Sequence, residues 1–225
     1  MKYLIVVVHQ DDVVLGAGAS IYKWTRQGNV VDVCILNTET EACAYRSEDK
    51  DMDADTNVSS NNLGIFARFE GTFSSVEMNS ESHLKLVKYI EGVIRECEPD
   101  IVITHQPADT NNDYLQTSKA CQEAIRLYQR RQEAKPIKEF WYMEVPNCTD
   151  CALNTAINRF QPNTWVEVGK EGLDAKIKAL GLYRCVLLPY SHPRSAEAIE
   201  GFAAYRGCQA GCVYAEAFEV VMRRL

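Results

Sequence analysis

The chain has 225 residues, 46% of them apolar and 24% charged, with 24 Lys and Arg against 31 Asp and Glu for a formal net charge of −7. That length suits one large domain with a substantial core, and no apolar run approaches the ~18 residues needed to span a bilayer. The acidic balance argues against a broad nucleic-acid footprint, which needs basic residues clustered on one face; Arg126, Arg130 and Arg131 read as a solvated helix face.

Residues 2–8 (KYLIVVV) form a continuous β-branched run, as expected for a strand covered on both faces in a parallel sheet. Nothing resembling a basic-then-apolar leader precedes it, so a cytoplasmic location is expected. Val14, Ala17, Ile21 and Trp24 then recur at helical steps, and the pattern stops at Gly28. Residues 30–36 read as a second buried strand. Residues 38–60 are polar, acidic and poor in apolar side chains, which predicts a long loop of the kind that is often functional. Leu84, Val87, Ile90, Ile94 and Cys97 mark the next helix, which ends before Pro99, and residues 101–104 mark a third strand. A polar turn at 105–113 leads to a helix from about 114 to 131. Strands near 140–144 and 164–168, a helix at 173–183, a helix after Pro193 and a last apolar segment at 214–221 complete the pattern. The alternation predicts an α/β fold: a Rossmann-like, doubly wound, mostly parallel sheet with helices on both faces and right-handed crossovers, spanning residues 1–225 as one domain. Of the nine cysteines, Cys34, Cys97 and Cys121 fall at apolar-periodic positions and read as reduced core thiols.

The densest concentration of chemistry follows the first strand: His9, Gln10, Asp11 and Asp12, then Val13-Val14-Leu15-Gly16-Ala17-Gly18. In an open α/β sheet, ligands bind at the carboxyl ends of the strands, near where strand order reverses. The turns at 9–12 and 105–113 both lie at such ends. Three ionisable groups beside a buried strand are costly without a partner. Imidazole and carboxylate suit zinc or another divalent metal, which in catalytic sites takes three protein ligands and a water. His9 and Asp12 supply two ligands, and Asp11 can serve as general base toward the metal-bound water. Taken singly, each is equally an N-cap or a satisfied core group. Gly16 and Gly18 read as close helix–strand packing rather than a phosphate loop.

Residues 6–28, VVVHQDDVVLGAGASIYKWTRQG, resemble the opening of the PIG-L/LmbE-like zinc-dependent N-acetylglucosaminyl de-N-acetylases, whose first motif reads roughly A-H-P-D-D-E followed by L-G-x-G-G. The likeness continues through Pro99-Asp100-Ile101-Val102-Ile103-Thr104-His105. It resumes at Phe160-Gln161-Pro162, Lys176-Ile177-Lys178-Ala179-Leu180, His192-Pro193-Arg194-Ser195, Arg206-Gly207 and Tyr214-Ala215-Glu216-Ala217-Phe218. The resemblance implies an LmbE-like fold and a metal-dependent hydrolase that removes acetyl from an N-acetylated amino sugar or its conjugate. It implies His9 and Asp12 as metal ligands and Asp11 as general base. The implied partner is that small molecule, with no nucleic acid and no membrane; a homo-oligomer is left open.

The second motif departs from the family, which reads H-P-D-H or H-Q-D-H where this chain has Asn111-Asn112-Asp113-Tyr114. Asn111 replaces the assisting histidine and Tyr114 replaces the third ligand, while Asp113 is matched and is read with Asp11 and Asn111 as catalytic; Asp113 or a water could fill the ligand position instead of Tyr114. Gln10 and Val13 also stand where the first motif has Pro and Glu. An amide can donate to a developing oxyanion but cannot protonate a departing amine. A phenol with a reference pKa of about 10 is a poorer zinc ligand than imidazole. The histidines are His9, His83, His105 and His192. His83 reads as solvated, His105 as a reserve ligand or substrate neighbour, and His192 as bordering the pocket. Arg68 falls where the resemblance implies substrate-facing residues.

Cys148-Thr149-Asp150-Cys151 with Cys208-Gln209-Ala210-Gly211-Cys212 offers a structural Cys₄ zinc site, or Cys148 and Cys151 a redox pair. Two functional readings follow: a deacetylase with a remodelled metal site, in which Asn111 polarises the acetyl oxygen, and a catalytically silent sugar-binding or scaffold protein on the same fold.

Overall fold

The computed structural model describes residues 1–38, 52–74, 78, 81–151, 159–184 and 186–225. In chain order the elements are β1 (Lys2–Val7), α1 (Asp12–Arg26), β2 (Val30–Ile35), α2 (Met52–Leu63), β3 (Ala67–Glu70), α3 (His83–Cys97), β4 (Ile101–His105), α4 (Asn112–Tyr128), β5 (Glu139–Met143), β6 (Thr164–Glu167), α5 (Gly169–Gly181), α6 (Ala196–Ala210) and β7 (Ala215–Arg223). The strands form one seven-stranded sheet in the order β3-β2-β1-β4-β5-β7-β6. The first five are mutually parallel, while β7 runs antiparallel between β5 and β6. The expected mostly parallel α/β sheet is what forms.

Continuous apolar strands need cover on both faces, and two helix groups provide it. α1 packs with α5 and α2, and α3 packs with α4; right-handed crossovers put these groups on opposite sides of the sheet. β1 and β4 are buried almost throughout. An aromatic cluster fixes the C-terminal end of α1: Tyr3 stacks on Trp24 with centroids 4.2 Å apart, and Trp141 and Phe218 close around them. Cys34, Cys97 and Cys121 are free, buried thiols, as expected. No described helix is long and apolar enough to cross a membrane.

Three expectations need correction. The stretch read as a loop over 38–60 is helical from Met52 onward, while residues 39–51 lie outside the described residues. α2 escapes the pattern because it packs through small polar groups: Thr56 bonds Gln10 Oε1 at 2.7 Å and Ser59 bonds the Ala179 carbonyl at 3.2 Å. In α3, Leu84 faces solvent and Leu86 turns inward instead. The short edge strand β3, with no buried residue, carries no sequence signal and is absent from the expected elements.

α1 lies unusually close to its neighbours, and its glycines are the reason. A Cβ on Gly16 would meet Met143 Sδ at 2.6 Å, and one on Gly18 would meet Val14 Cγ1 at 2.9 Å and Lys176 Cγ at 3.2 Å. Through this gap the buried Lys176 ammonium donates to the Leu15 carbonyl and to Glu216 Oε1, each at 2.7 Å. Glu216 in turn accepts the Ala19 and Ser20 amides at 3.2 and 2.7 Å. The pair thus ties α5 and β7 to the middle of α1. Removing one partner of a buried ion pair leaves the other charge uncompensated, at a cost of about 3–5 kcal/mol. Lys176→Met is expected to lower the unfolding free energy by that amount in urea titration, and adding Glu216→Gln is expected to recover part of it.

Candidate active site

Strand order reverses between β1 and β4, the switch point at which open α/β sheets bind ligands. The loops leaving the two strands meet there through Asp12, the first residue of α1. Asp12 is 1% exposed. Its Oδ2 accepts the His9 amide at 2.9 Å and lies 3.2 Å from His9 Nδ1. Its Oδ1 accepts the hydroxyl of Tyr114. Burial disfavours the charge, but His9, His105 and Tyr114 outweigh it and hold the carboxyl well below the ordinary carboxylate range.

Tyr114 is buried, with its ring stacked on His105 at 3.8 Å between centroids and 11° between planes. Burial and the neighbouring Asp12 push its hydroxyl well above the ordinary phenol pKa, so it acts as a neutral donor. His105 is fully buried beneath it and accepts the Val8 amide through Nε2 at 3.0 Å. Burial lowers the ring's pKa to about 4 against the upward pull of Asp12. With Nε2 accepting, the proton sits on Nδ1, and the 3.6 Å approach of Nε2 to Asp12 Oδ2 is the contact of a neutral ring rather than an ion pair. His105 is therefore screened from a ligand by Tyr114. His9 differs: burial acts to lower its pKa, but Asp12, Asp11 and Asp113 together hold it raised.

Asp11 points away from this group. Its Oδ2 accepts Arg194 Nη1 at 3.0 Å. Burial and Asp12 raise its pKa against the downward pull of Arg194 and His9. Arg194 comes from the segment before α6, and sequence reasoning gives it no role although it lies within His192-Pro193-Arg194-Ser195, one of the segments that carry the resemblance. His192 supports it: His192 Nδ1 accepts the Arg194 amide at 3.0 Å.

The second-motif residues have structural partners as well. Asn111 caps α4, its side-chain oxygen accepting the Asp113 amide at 2.9 Å. Asp113 accepts the Met78 amide at 3.3 Å. Asp109 accepts the Asn111 amide at 3.1 Å and the Thr149 hydroxyl at 2.6 Å, stitching the loop after β4 to the loop after β5. Through that loop the Cys148 thiol reaches the Tyr114 hydroxyl at 3.9 Å. Arg68 lies on the edge strand β3, paired with Glu70, and its charge reaches Tyr183, whose hydroxyl bonds the Gln10 carbonyl at 3.1 Å. His83 lies 3.2 Å from Glu123, on the helix pair α3 and α4.

This donor set does not fit a three-ligand zinc. His9 and Asp12 are adjacent, but Tyr114 beside them is a neutral phenol that donates a hydrogen bond to Asp12 and is a poor lone-pair donor to a metal. Among the described residues no group of three or more His, Cys, Asp and Glu side chains is arranged to hold a metal ion. The same holds for the Cys₄ arrangement that the spacing offers: Cys148 faces Tyr114, Cys212 contacts the Tyr214 carbonyl at 3.7 Å, and Cys151 and Cys208 are exposed.

Fold and site thus define an α/β protein with a polar, buried cluster at its switch point. Residues 4–125, more than half of the chain, match the family of GlcNAc-PI de-N-acetylases (PIG-L), and the chain belongs to that family. Its fold is similar to that of a conserved protein of Thermus thermophilus, TT1542, at TM-score 0.80 and 21% identity, covering 99% of this chain and 95% of that one. It is also similar to GalB, the 4-carboxy-2-hydroxymuconate hydratase from Pseudomonas putida, at 0.74 and 22%, covering 100% and 98%. N,N'-diacetylchitobiose deacetylase from Pyrococcus horikoshii matches at 0.75 and 17%, covering 98% and 83%.

Tyr114→His exchanges the competing donor for a ligand next to His9 and Asp12, and it spares the Asn111 cap. It is expected to bind about one zinc per chain in calorimetric titration, well above the parent; no gain would mean that residue 114 is not the family's ligand position. A second expectation concerns His105. Folded, it takes a proton only near pH 4; unfolded, near 6.5. Its stabilising contribution is full above about pH 6.5 and is lost as pH falls from there to about 4. In urea titrations at pH 7 and pH 4, His105→Gln is expected to lose about 3 kcal/mol less than the parent over that interval.

Proposed function

We propose that the chain is a deacetylase-type hydrolase acting on an N-acetylated amino sugar or a conjugate of one, in the crevice between the turns after β1 and β4. The observation that carries this reading is Asp11: a buried carboxylate at the switch point, with its pKa raised and an arginine at 3.0 Å, within the family match. Amide hydrolysis needs a base for the attacking water, a positive group at the carbonyl oxygen and a proton for the departing amine. Asp11 takes the water proton as the oxygen–carbon bond forms, and returns it to nitrogen as the carbon–nitrogen bond breaks. The products are acetate and a free amine. A base whose pKa lies nearer the working pH does both steps better than an ordinary carboxylate. Asn111, through its NH₂ end, is the proposed further donor to the acetyl oxygen. Asp12, Asp113, His9 and Tyr114 hold the frame, and Arg68 and His192 border it.

The neighbour named N,N'-diacetylchitobiose deacetylase supports a sugar substrate. No step is assigned to zinc or another divalent metal, because Tyr114 stands in the third ligand's place. A second reading, a silent sugar-binding or scaffold protein, has one specific support: Asp12 is satisfied by His9 and Tyr114 from within the chain. The two readings separate by assay. Protein depleted of metal and protein supplied with zinc are each incubated with N-acetylglucosamine and N,N'-diacetylchitobiose, and acetate and primary amine are counted. The expected result is equimolar release of both, slowed about 10²–10⁴-fold in Asp11→Asn. Sugar binding without release, unchanged in that variant, would favour the silent reading.

A further inference from the structure

Resting on that reading, we infer that Arg194 binds the carbonyl oxygen of the substrate's acetamido group. The residue is built for a fixed contact. Its amide donates to His192 Nδ1 at 3.0 Å and its carbonyl accepts the Leu188 amide at 3.1 Å. The next residue, Ser195, caps α6 by accepting the Ala198 amide at 3.1 Å and donates its own amide to the His192 carbonyl at 2.9 Å. Both backbone groups of Arg194 are thus pinned, and the side chain extends from a rigid base.

The guanidinium has donors to spare where a ligand would lie. Nη1 holds Asp11 and Nε is closed off from solvent, while Nη2 has no hydrogen-bond partner among the described residues in a side chain that keeps 23% of its surface exposed. The Nη2 donors are therefore the ones a ligand oxygen can reach. Burial works against the charge of Arg194, but Asp11 at 3.0 Å, with Asp12, Tyr114 and Cys148, holds its pKa raised. His192, read from the sequence as a pocket residue, acts through Arg194 as its positioning residue.

The surrounding charges select the ligand. Asp11 and Asp12 stand beside Arg194, so a carboxylate or phosphate entering the site would meet two negative groups. A neutral amide oxygen meets far less of that repulsion and can accept from Nη2. During hydrolysis that oxygen gains negative charge, and a preformed cation then holds it more strongly than it held the amide. Arg194 supplies there the positive charge that the altered donor set around Tyr114 is unsuited to bring through a metal.

The test compares N-acetylglucosamine with glucosamine as probes, by protein-observed NMR titration of the parent, Arg194→Gln and Arg194→Lys, with thermal melts to check folding. The parent is expected to bind the acetylated sugar at least about tenfold more tightly. Arg194→Gln is expected to abolish that preference; Arg194→Lys, which keeps the charge beside Asp11 but lacks a second nitrogen for the substrate oxygen, is expected to retain only part of it. Full preference in a folded Arg194→Gln would overturn the inference and leave the proposed function standing. If only Arg194→Lys folds, full preference there overturns it equally. A parent with no preference for the acetylated sugar would instead overturn the substrate class, and the role of Arg194 with it.

Discussion

A carboxylate held at 1% exposure between two loops is the constraint around which this molecule is organised. Asp12 begins α1, whose helix dipole favours negative charge at that end, but a dipole alone does not sustain a buried anion. His9, Tyr114 and the ring of His105 complete the compensation. Each comes from a segment the sheet must deliver correctly: the turn after β1, the first turn of α4 and the last residue of β4. The register of β1 against β4, Tyr3 with Ile101 through Val6 with Thr104, brings His105 to the level of Val8, whose amide it accepts. Sheet register and charge compensation are therefore one requirement.

The departures from the family pattern form a consistent set around that anion. A metal would neutralise Asp12 with a cation and leave its geometry to coordination. Tyr114 neutralises nothing; it donates one hydrogen bond and fills volume against His105. The remaining positive charge comes from His9 on one side and Arg194, through Asp11, on the other. Gln10 is buried and bonds Asp53 at 2.9 Å as well as Thr56, so the turn after β1 is anchored to α2. Val13 lies in the core, where another carboxylate beside Asp11 and Asp12 would add only repulsion.

The parallel strands are readable in the sequence because burial on both faces forces an unbroken β-branched run, as in Tyr3 to Val8. α1 and α3 are readable because each hides one periodic face. α2 and β3 are not: Thr56 and Ser59 are buried polar residues satisfied by tertiary bonds, which no apolar period reports. The antiparallel placement of β7 between β5 and β6 is likewise hidden, since direction depends on connections rather than composition. At the site, His9, Asp11 and Asp12 stand out because they are neighbours in sequence. The stack of Tyr114 on His105 and the pairing of Asp11 with Arg194 join residues far apart in the chain, so only the fold reveals them. The fully buried state of His105 is beyond reach for the same reason.

Hydrogen bonds in place of a metal would also bound what chemistry the proposed site can perform. A metal lowers the pKa of its bound water from about 15.7 to about 7, providing hydroxide at neutral pH. A site working through Asp11 and Arg194 must instead remove the water proton as the new bond forms. General base catalysis contributes about 10²–10⁴-fold, and a well-aimed oxyanion donor about 10²–10³-fold. Together these reach roughly 10⁴–10⁷ over the uncatalysed reaction, toward the lower end of what enzymes achieve. A site of this kind gains more from a substrate held in one orientation than from a stronger base. The backbone pinning of Arg194 by His192, Leu188 and Ser195 serves that need, because a rigid donor costs no reorganisation when charge develops on the carbonyl oxygen.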